Sequence, residues 1–192
     1  MTQNKSKLIQ ITEQSHDVQL CIAYATEHNF TGSIIYPGSD CYLHQEAAER
    51  LQKAIDLLRP LKLRFKIWDG FRPLQAQHAL FNHTPDPTYV SHPDSGVRPH
   101  CRGIALDLTL IDQYDHELEM GTVFDDFRSL AHHGNDQISE EAQKNRLLLA
   151  GVMNLAGFAP IPTEWWHYQL PDTDKYPIIP DSDTPESLLI SR

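Results

Sequence analysis

Leu61-Lys-Leu-Arg-Phe-Lys-Ile-Trp68 is the segment that most clearly indicates the fold of this chain. Its leucine, phenylalanine and isoleucine residues alternate with lysine and arginine, which is the two-residue period of a strand with one buried face. Asp69-Gly70 follows directly and predicts the turn that ends the strand. We therefore expect a sheet that contains residues 61–68.

Helical patterns lie on both sides of this strand. The apolar residues of segment 43–58 share one helix face, and Pro60 ends the pattern. Pro73 suits the first turn of a shorter helix that runs to about Phe81. Residues 82–99 hold four prolines and few apolar side chains, so they predict a loop.

The rest of the chain predicts one long helix and three more strands. The helix runs from about Glu140 to Ala156, with Ser139 as its N-cap and Gly157 as its C-terminal stop. The strands are expected at residues 18–24, 104–110 and 165–170. Because helices and strands mix without a regular βαβ rhythm, we predict an α+β fold with a mainly antiparallel sheet.

Length and composition predict one globular domain. The 192 residues suit a single domain, residues 1–192, in which the segment 171–192, rich in Pro, Asp and Ser, forms a tail that wraps the surface. A net charge of −10 argues against nucleic acid as a partner, because binding phosphates requires a basic face. The first ten residues lack the apolar core of a signal peptide, and the longest apolar run, residues 147–160, is too short to span a bilayer. We therefore expect a cytoplasmic protein with no membrane partner.

The first motif with chemical meaning is His100-Cys-Arg-Gly-Ile-Ala-Leu-Asp107. The histidine lies in a loop and the aspartate on the following strand, and Gly103 lets the backbone turn between them. A carboxylate on an otherwise apolar strand needs a positive neighbour. That neighbour is either a metal ion, for which His100 is a second ligand, or an ordinary arginine or backbone amide.

Two other motifs carry candidate residues. Glu164-Trp-Trp-His167 offers a metal ligand and a neighbouring carboxylate beside two aromatic rings, or else an aromatic core strand with a buried histidine. Trp68-Asp-Gly-Phe-Arg-Pro73 holds Arg72 between a turn and a proline, either aimed at an oxyanion or paired with Asp69 on the surface.

Taken together, the three motifs favour a catalytic zinc site. Two histidines and one carboxylate, His100, Asp107 and His167, leave the fourth zinc position open. Glu164 is then available as a base and Arg72 as a group that stabilises developing negative charge. The chain's three cysteines, by contrast, are spaced too widely for a thiolate zinc site.

These motifs resemble those of the D-alanyl-D-alanine dipeptidases, zinc peptidases related to the vancomycin-resistance dipeptidase. The similar stretches occur in the family's order and cover the chain from about residue 17 to 170. They are Asn29-Phe-Thr-Gly32, Trp68-Asp-Gly-Phe-Arg-Pro73, His100-x-Arg-Gly-x-Ala-x-Asp-Leu-Thr-Leu110, Met120-Gly-Thr-x-Phe-Asp125, His132-His133 and Glu164-Trp-Trp-His-Tyr168.

The resemblance implies a role for each site residue. One Zn²⁺ is expected on His100, Asp107 and His167, with Glu164 as general base and Arg72 as stabiliser of the transition state. The resemblance further implies that Asp125 holds the free amino group of a dipeptide substrate.

The chain departs from the family pattern at one site position. The family usually has a serine two residues before the first zinc histidine, whereas this chain has Arg98 followed by Pro99. Arg98 either points to solvent or reaches the pocket and pairs with the substrate carboxylate.

Two alternatives to a dipeptidase stay open at this stage. One is a related zinc D,D-carboxypeptidase or peptidoglycan hydrolase, which would need an open groove. The other is a zinc-stabilised binding module without turnover, against which the presence of both Glu164 and Arg72 argues. The resemblance allows two roles, antibiotic resistance and recycling of wall-derived dipeptide.

Overall fold

The computed structural model describes residues 8–189. Its central sheet has five strands, which are β2 (Gln19–Leu20), β4 (Arg64–Asp69), β5 (Ala105–Ile111), β6 (Ala159–Ile161) and β7 (Glu164–Gln169). They are ordered β2-β4-β5-β7-β6. The β2–β4 pair is parallel and the other three pairs are antiparallel, which confirms the α+β class with a mainly antiparallel sheet.

A second sheet and the helices surround this centre. The small antiparallel sheet pairs β1 (Leu8–Ile11) with β3 (Cys41–His44). The α-helices are α1 (Glu13–His16), α2 (Gln45–Leu58), α3 (Leu74–His83) and α4 (Glu140–Ala156). Helices α2 and α4 pack against each other and against strands of the central sheet. All seven residues of β5 are buried, because the strand has a neighbour on each side and is covered on both faces.

Helix α4 has the bounds and caps that the sequence predicts. The Ser139 side chain accepts a hydrogen bond from the Ala142 amide at 3.0 Å, which satisfies one free N–H of the first turn. At the other end Gly157 takes a φ of 101°, a left-handed conformation that glycine adopts without steric cost. The carbonyl of Gly157 also accepts from Arg50 in α2 at 2.8 Å, so the end of α4 is tied to its neighbour.

The strand predicted for residues 18–24 is wrong in its length. Only Gln19–Leu20 pairs with β4, and the Cys21 amide makes one further bond to Ile67. A 3₁₀ turn at Ala23–Ala25 then bends the chain and buries the Tyr24 ring. The burial of this aromatic ring outweighs the alternating pattern.

The helix predicted to start at residue 43 begins at Gln45. Residues 41–44 pair with β1 instead, and the His44 side chain accepts a hydrogen bond from the Glu46 amide as the helix begins. Strands β1, β3 and β6 were absent from the sequence prediction. Each is only three or four residues long, too short to show a clear period.

Beyond residue 170 the described chain packs against the body of the protein. Tyr176, Ile179 and Leu188 are buried. The Ile179 amide donates to the Cys101 carbonyl at 2.9 Å, and the Tyr176 hydroxyl donates to Glu46 at 2.7 Å. Within residues 8–189, none of the helices combines the length and the apolar character needed to cross a bilayer.

Candidate active site

Three side chains of the kind that bind metals meet at the centre of the main sheet. Asp107 in β5 lies opposite His167 in β7, because these two strands pair with that register. His100 belongs to the 3₁₀ turn His100–Arg102 that precedes β5. All three side chains are buried, and one ligand atom from each lies within 4.8 Å of the other two.

The hydrogen bonds of the two histidines determine which ring nitrogens face this cluster. His100 donates from Nδ1 to the Gly70 carbonyl at 2.8 Å, and His167 donates from Nε2 to Oε1 of Gln169 at 2.9 Å. His100 Nε2 and His167 Nδ1 therefore present lone pairs to each other at 3.2 Å. They lie 3.3 and 3.0 Å from the two Asp107 carboxylate oxygens. At these distances a cation, either a proton or a metal ion, has to lie between the ring nitrogens and the carboxylate.

The spacing and chemistry of these atoms fit zinc. Tetrahedral ligand atoms about 2.0–2.1 Å from zinc lie roughly 3.3 Å from one another, close to the 3.0, 3.2 and 3.3 Å separations of this cluster. Burial on its own would raise the pKa of Asp107, but His100 and His167 hold that pKa well below its usual range. The carboxylate is therefore ionised, as a metal ligand must be.

Arg72 is fixed beside the cluster by a buried ion pair. Its Nε and Nη2 donate to Asp69 at 3.0 and 2.7 Å, and its Nη1 donates to Gln77 at 3.0 Å. Asp69 also accepts from the Tyr36 hydroxyl at 2.8 Å. The pairing with Asp69 that the sequence allowed is thus present, but it is buried rather than on the surface. Arg72 Nη2 lies 3.9 Å from an Asp107 oxygen, so the guanidinium also faces the cluster of His100, Asp107 and His167.

Glu164 begins β7, three residues before His167 on the same strand. Its Oε2 is 3.9 Å from His167 Nδ1, the nitrogen that faces the cluster. Burial raises the pKa of Glu164 to about 7. A carboxyl group with this pKa exchanges a proton readily near neutral pH.

Asp125 lies next to Tyr24, at one side of the site. The Tyr24 hydroxyl donates to both carboxylate oxygens, at 3.1 and 3.3 Å, and the Tyr24 ring lies under the Arg72 guanidinium. Burial, and secondarily the negative charge of Asp107, raise the pKa of Asp125 to about 8. A positively charged ligand would therefore stabilise the ionised form of this carboxylate strongly.

Arg98 has a left-handed backbone with a φ of 52° and a side chain that folds over its own loop. Its Nε donates to the Gly96 carbonyl at 2.8 Å, and its Nη1 donates to the Pro93 carbonyl. These two bonds hold the guanidinium at the wall of the site.

All seven residues predicted for the site line one cavity of about 290 Å³. They are Arg72, Arg98, His100, Asp107, Asp125, Glu164 and His167. His132 and His133, which follow one another in a family motif, are not among the lining residues. The His133 amide donates to Pro162 and its ring lies against Tyr168, so this histidine supports the fold beside the site.

Comparisons with known proteins show the family of this chain. A family model described as D-Ala-D-Ala dipeptidase matches residues 4–182. A D-alanyl-D-alanine dipeptidase of Escherichia coli is 38% identical over 92% of this chain and 91% of its own length. One from Enterococcus faecium is 32% identical over 87% of this chain and 92% of its own length.

The chain belongs to the D-Ala-D-Ala dipeptidase family. A solved structure of the vancomycin-resistance D,D-pentapeptidase VanY in complex with Zn(II) is also similar, with a TM-score of 0.44 and 16% identity over 86% of this chain and 84% of that one.

Sequence reasoning missed several residues of this dipeptidase-family site. Gln169 aligns His167, Gln77 holds Arg72, and Tyr36 and Tyr24 contact the carboxylates of Asp69 and Asp125. Tyr24 lay within a predicted strand, which gave no sign that its hydroxyl reaches the site. Gln169 carried a weak signal, because it stands two residues after a candidate ligand.

Proposed function

We propose that this protein hydrolyses D-alanyl-D-alanine to free D-alanine with one zinc ion per chain. The observation that carries the proposal is the buried cluster of His100, Asp107 and His167, whose ligand atoms face one another at zinc-like spacing. Structural zinc sites are usually closed by four protein ligands. Three ligands beside a carboxyl group and a guanidinium are typical of hydrolytic sites.

The size of the cavity supports a small substrate. Its volume of about 290 Å³ is at the lower end of the roughly 300–1,000 Å³ that ligand pockets occupy. A dipeptide suits such a space, whereas a peptidoglycan chain requires an open groove. Membership of the dipeptidase family supports the same substrate class.

His100 Nε2, the Asp107 carboxylate and His167 Nδ1 would hold the zinc ion. When bound, zinc supplies a Lewis acid that polarises the scissile carbonyl and lowers the pKa of water at the site. The bonds from the histidines to Gly70 and Gln169 keep both rings in the orientation and tautomer that binding requires.

Glu164 is proposed as the group that moves the proton. With a pKa of about 7, its carboxylate accepts a proton from the attacking water and releases it to the nitrogen of the leaving D-alanine. The amide bond breaks as that nitrogen becomes a free amine. The side chain is largely buried, so few water molecules compete for this proton.

Arg72 is proposed to stabilise the negative charge that develops on the carbonyl oxygen. Asp69 and Gln77 fix its guanidinium through three hydrogen bonds before substrate arrives. A donor fixed in this way needs no reorganisation during the reaction, which is the condition for strong electrostatic stabilisation.

The two ends of the dipeptide are proposed to meet opposite charges. Asp125, buried beside Tyr24, would bind the free α-ammonium group. Arg98, at the cavity wall, would pair with the C-terminal carboxylate where the family usually has a serine. This arrangement selects a substrate with both termini free.

A single assay tests the proposal. Protein loaded with one equivalent of zinc should release D-alanine from D-Ala-D-Ala, should stop after chelation and should recover when zinc is returned. L-Ala-L-Ala, which has the same composition, tests the preference for D residues. A double variant, His100→Ala with His167→Ala, should stay inactive after zinc is added. Failure of the zinc-loaded parent protein to release D-alanine would contradict the proposed function.

We also propose that the enzyme works in the cytoplasm on a dipeptide of cell-wall metabolism. This rests on the sequence expectation for location and on the substrate class. Assay of D-Ala-D-Ala hydrolysis in separated cytoplasmic and envelope fractions tests it, and activity confined to the envelope fraction would contradict it.

A further inference from the structure

Three aromatic side chains from separate parts of the chain stand together at one end of the cavity. Phe30, Phe127 and Tyr89 all line it. The Phe30 and Phe127 rings meet edge to face with centroids 5.2 Å apart, and Phe127 stacks on Tyr89 at 4.8 Å. We call these three residues the aromatic barrier.

The aromatic barrier lies at the Asp125 end of the cavity. Phe127 follows Asp125 by two residues, and the Phe30 ring contacts Tyr24, whose hydroxyl donates to Asp125. A residue added to the substrate nitrogen that Asp125 holds would therefore have to pass these rings.

Space is available on the far side of the aromatic barrier. A separate groove of about 650 Å³ is lined by Phe30 and Asp125, together with apolar side chains that include Met120, Val123 and Phe124. Phe30 and Asp125 are shared by the cavity and this groove. The two residues therefore form a wall between the smaller cavity and the larger groove.

Other contacts fix the aromatic barrier in position. Tyr89 lies on a tight turn whose amides at Tyr89 and Val90 donate to the Asp86 carbonyl, and Val90 is buried. The following residue, Ser91, accepts from Gln77 at 2.7 Å, and Gln77 also holds Arg72. The loop that carries Tyr89 is thus tied to the same side chain that aligns the catalytic arginine.

We propose that the aromatic barrier, with Phe30 as its central member, restricts the enzyme to dipeptides by blocking extension of the substrate at its N-terminus. This proposal rests on the proposed function, because it assumes that Asp125 holds the substrate amine. Removal of the Phe30 ring joins the cavity to the groove. A third residue can then lie in the groove while the D-Ala–D-Ala bond stays beside the metal ligands.

Two tripeptides with opposite extensions test the proposal. Gly-D-Ala-D-Ala extends the substrate at the N-terminus and D-Ala-D-Ala-Gly extends it at the C-terminus. We expect the zinc-loaded parent to hydrolyse D-Ala-D-Ala and to leave both tripeptides nearly untouched. In Phe30→Ala, kcat/KM for Gly-D-Ala-D-Ala should rise by roughly tenfold or more, the scale on which a pocket discriminates by side-chain volume. The products should be Gly-D-Ala and D-alanine, and hydrolysis of D-Ala-D-Ala-Gly should not rise.

Control variants test whether a gain on tripeptides comes from the aromatic barrier or from loss of packing elsewhere in the fold. Phe81→Ala removes the same ring from α3, where Phe81 contacts His92 and lines neither space, and it should leave both tripeptides uncleaved. Phe127→Ala is a second test of the aromatic barrier, because it removes the ring that packs edge to face against Phe30, and it applies if Phe30→Ala fails to fold. Circular dichroism and zinc content establish that each variant is intact.

The outcomes distinguish the two proposals. Absence of D-Ala-D-Ala hydrolysis by the parent would overturn the proposed function and the aromatic barrier together. Normal dipeptide hydrolysis without any gain on Gly-D-Ala-D-Ala, in folded Phe30→Ala and Phe127→Ala, would overturn the aromatic barrier alone. The aromatic barrier would also be overturned by an equal rise in kcat/KM for both tripeptides, or by release of free glycine from Gly-D-Ala-D-Ala.

Discussion

Gly70 and Gln169 determine which nitrogen each histidine presents to the proposed metal centre, the cluster of His100, Asp107 and His167. His100 uses Nε2 because its Nδ1 is bound to a backbone carbonyl, and His167 uses Nδ1 because its Nε2 is bound to an amide oxygen. Spacing along the sequence indicates that two histidines can meet, but it does not indicate which nitrogen each will use. That choice depends on a neighbour from another part of the fold.

Glu164→Gln is the most direct test of the proton-transfer role. The amide has nearly the same shape as the carboxyl group but cannot accept a proton, and residue 164 is not one of the three proposed zinc ligands. We therefore expect normal zinc content and a fall in kcat of about 100- to 10,000-fold. Metal analysis and steady-state kinetics measure the two quantities. A folded, zinc-loaded variant with near-normal kcat would require a different base.

Asp125→Asn should change how the stability of the metal-free protein depends on pH. Burial raises the pKa of Asp125 from 3.8 to about 8, so between these pH values the folded state keeps a proton that the unfolded chain has lost. Stability then falls as pH rises through this window and levels off above about pH 8. Asparagine cannot ionise, so the stability advantage of the variant over the parent should grow by about 4 kcal/mol between pH 5 and pH 9.

Urea unfolding of chelator-treated protein at pH 5, 7 and 9 measures this difference. Asp126→Asn is the matched control, because Arg128 hydrogen-bonds to Asp126 and lowers its pKa. The contribution of Asp126 is present above the unfolded pKa and is lost as pH falls, so that variant should instead lose stability at neutral pH. Identical pH dependence in the parent and Asp125→Asn would contradict the assignment.

Arg98→Ser restores the residue that the family usually has and tests recognition of the substrate carboxylate. Arg98 uses Nε and Nη1 for loop carbonyls, and the proposed carboxylate contact uses the remaining nitrogen. The parent should prefer D-Ala-D-Ala over its C-terminal amide, and the variant should lose about tenfold of that preference, since bonds to charged groups contribute about 1.5–3 kcal/mol. The ratio of the two kcat/KM values is the measurement, and an unchanged ratio would exclude the contact.

At the scale of elements, the turn before β5 is the most sensitive connection to the site. Gly103 has a φ of 68°, and a Cβ at this position would lie 2.9 Å from the backbone nitrogen of His44. Gly103→Ala should therefore cost at least about 1–2 kcal/mol of stability. It should also weaken zinc binding, because the same turn carries His100.

Ser139→Ala is the control for that prediction. It removes the N-cap of α4, outside the cavity lining, and should cost about 1 kcal/mol. Its zinc affinity should match the parent. Chemical denaturation and zinc titration of both variants measure the two effects. Parent-like zinc affinity in Gly103→Ala would show that the turn does not position His100.

The elements that the sequence predicted well are those in which a regular hydrophobic period extends over many residues and the ends are clearly marked. Strands β4, β5 and β7 and helix α4 were found, and they carry or border most of the metal centre. Strands of two to four residues show no period, and the turn that buries Tyr24 depends on packing with distant residues. For the same reason Gln77 and Gln169 could not be predicted, because their roles come from contacts made only in the folded chain.

At the scale of the whole molecule, the proposed metal centre joins elements that are distant in sequence. His100 precedes β5, Asp107 lies within it, and His167 lies in β7. Without zinc, only a shared proton can lie between the facing nitrogens and the Asp107 carboxylate at the centre of the sheet. A zinc ion would bind all three groups and so link these elements directly.

Zinc should accordingly raise the thermal stability of the entire domain. A ligand that binds only the folded state at 100 times its Kd stabilises that state by about 2.7 kcal/mol. For a domain of this size each kcal/mol corresponds to roughly 2–4 °C, so the midpoint of unfolding should rise by about 5–10 °C. Calorimetry of chelator-treated protein with increasing zinc measures the shift. The double variant His100→Ala with His167→Ala should show little or none, because it keeps only one of the three ligands. A shift of equal size in that variant would mean that zinc acts at another place, and the assignment of the metal centre would fail.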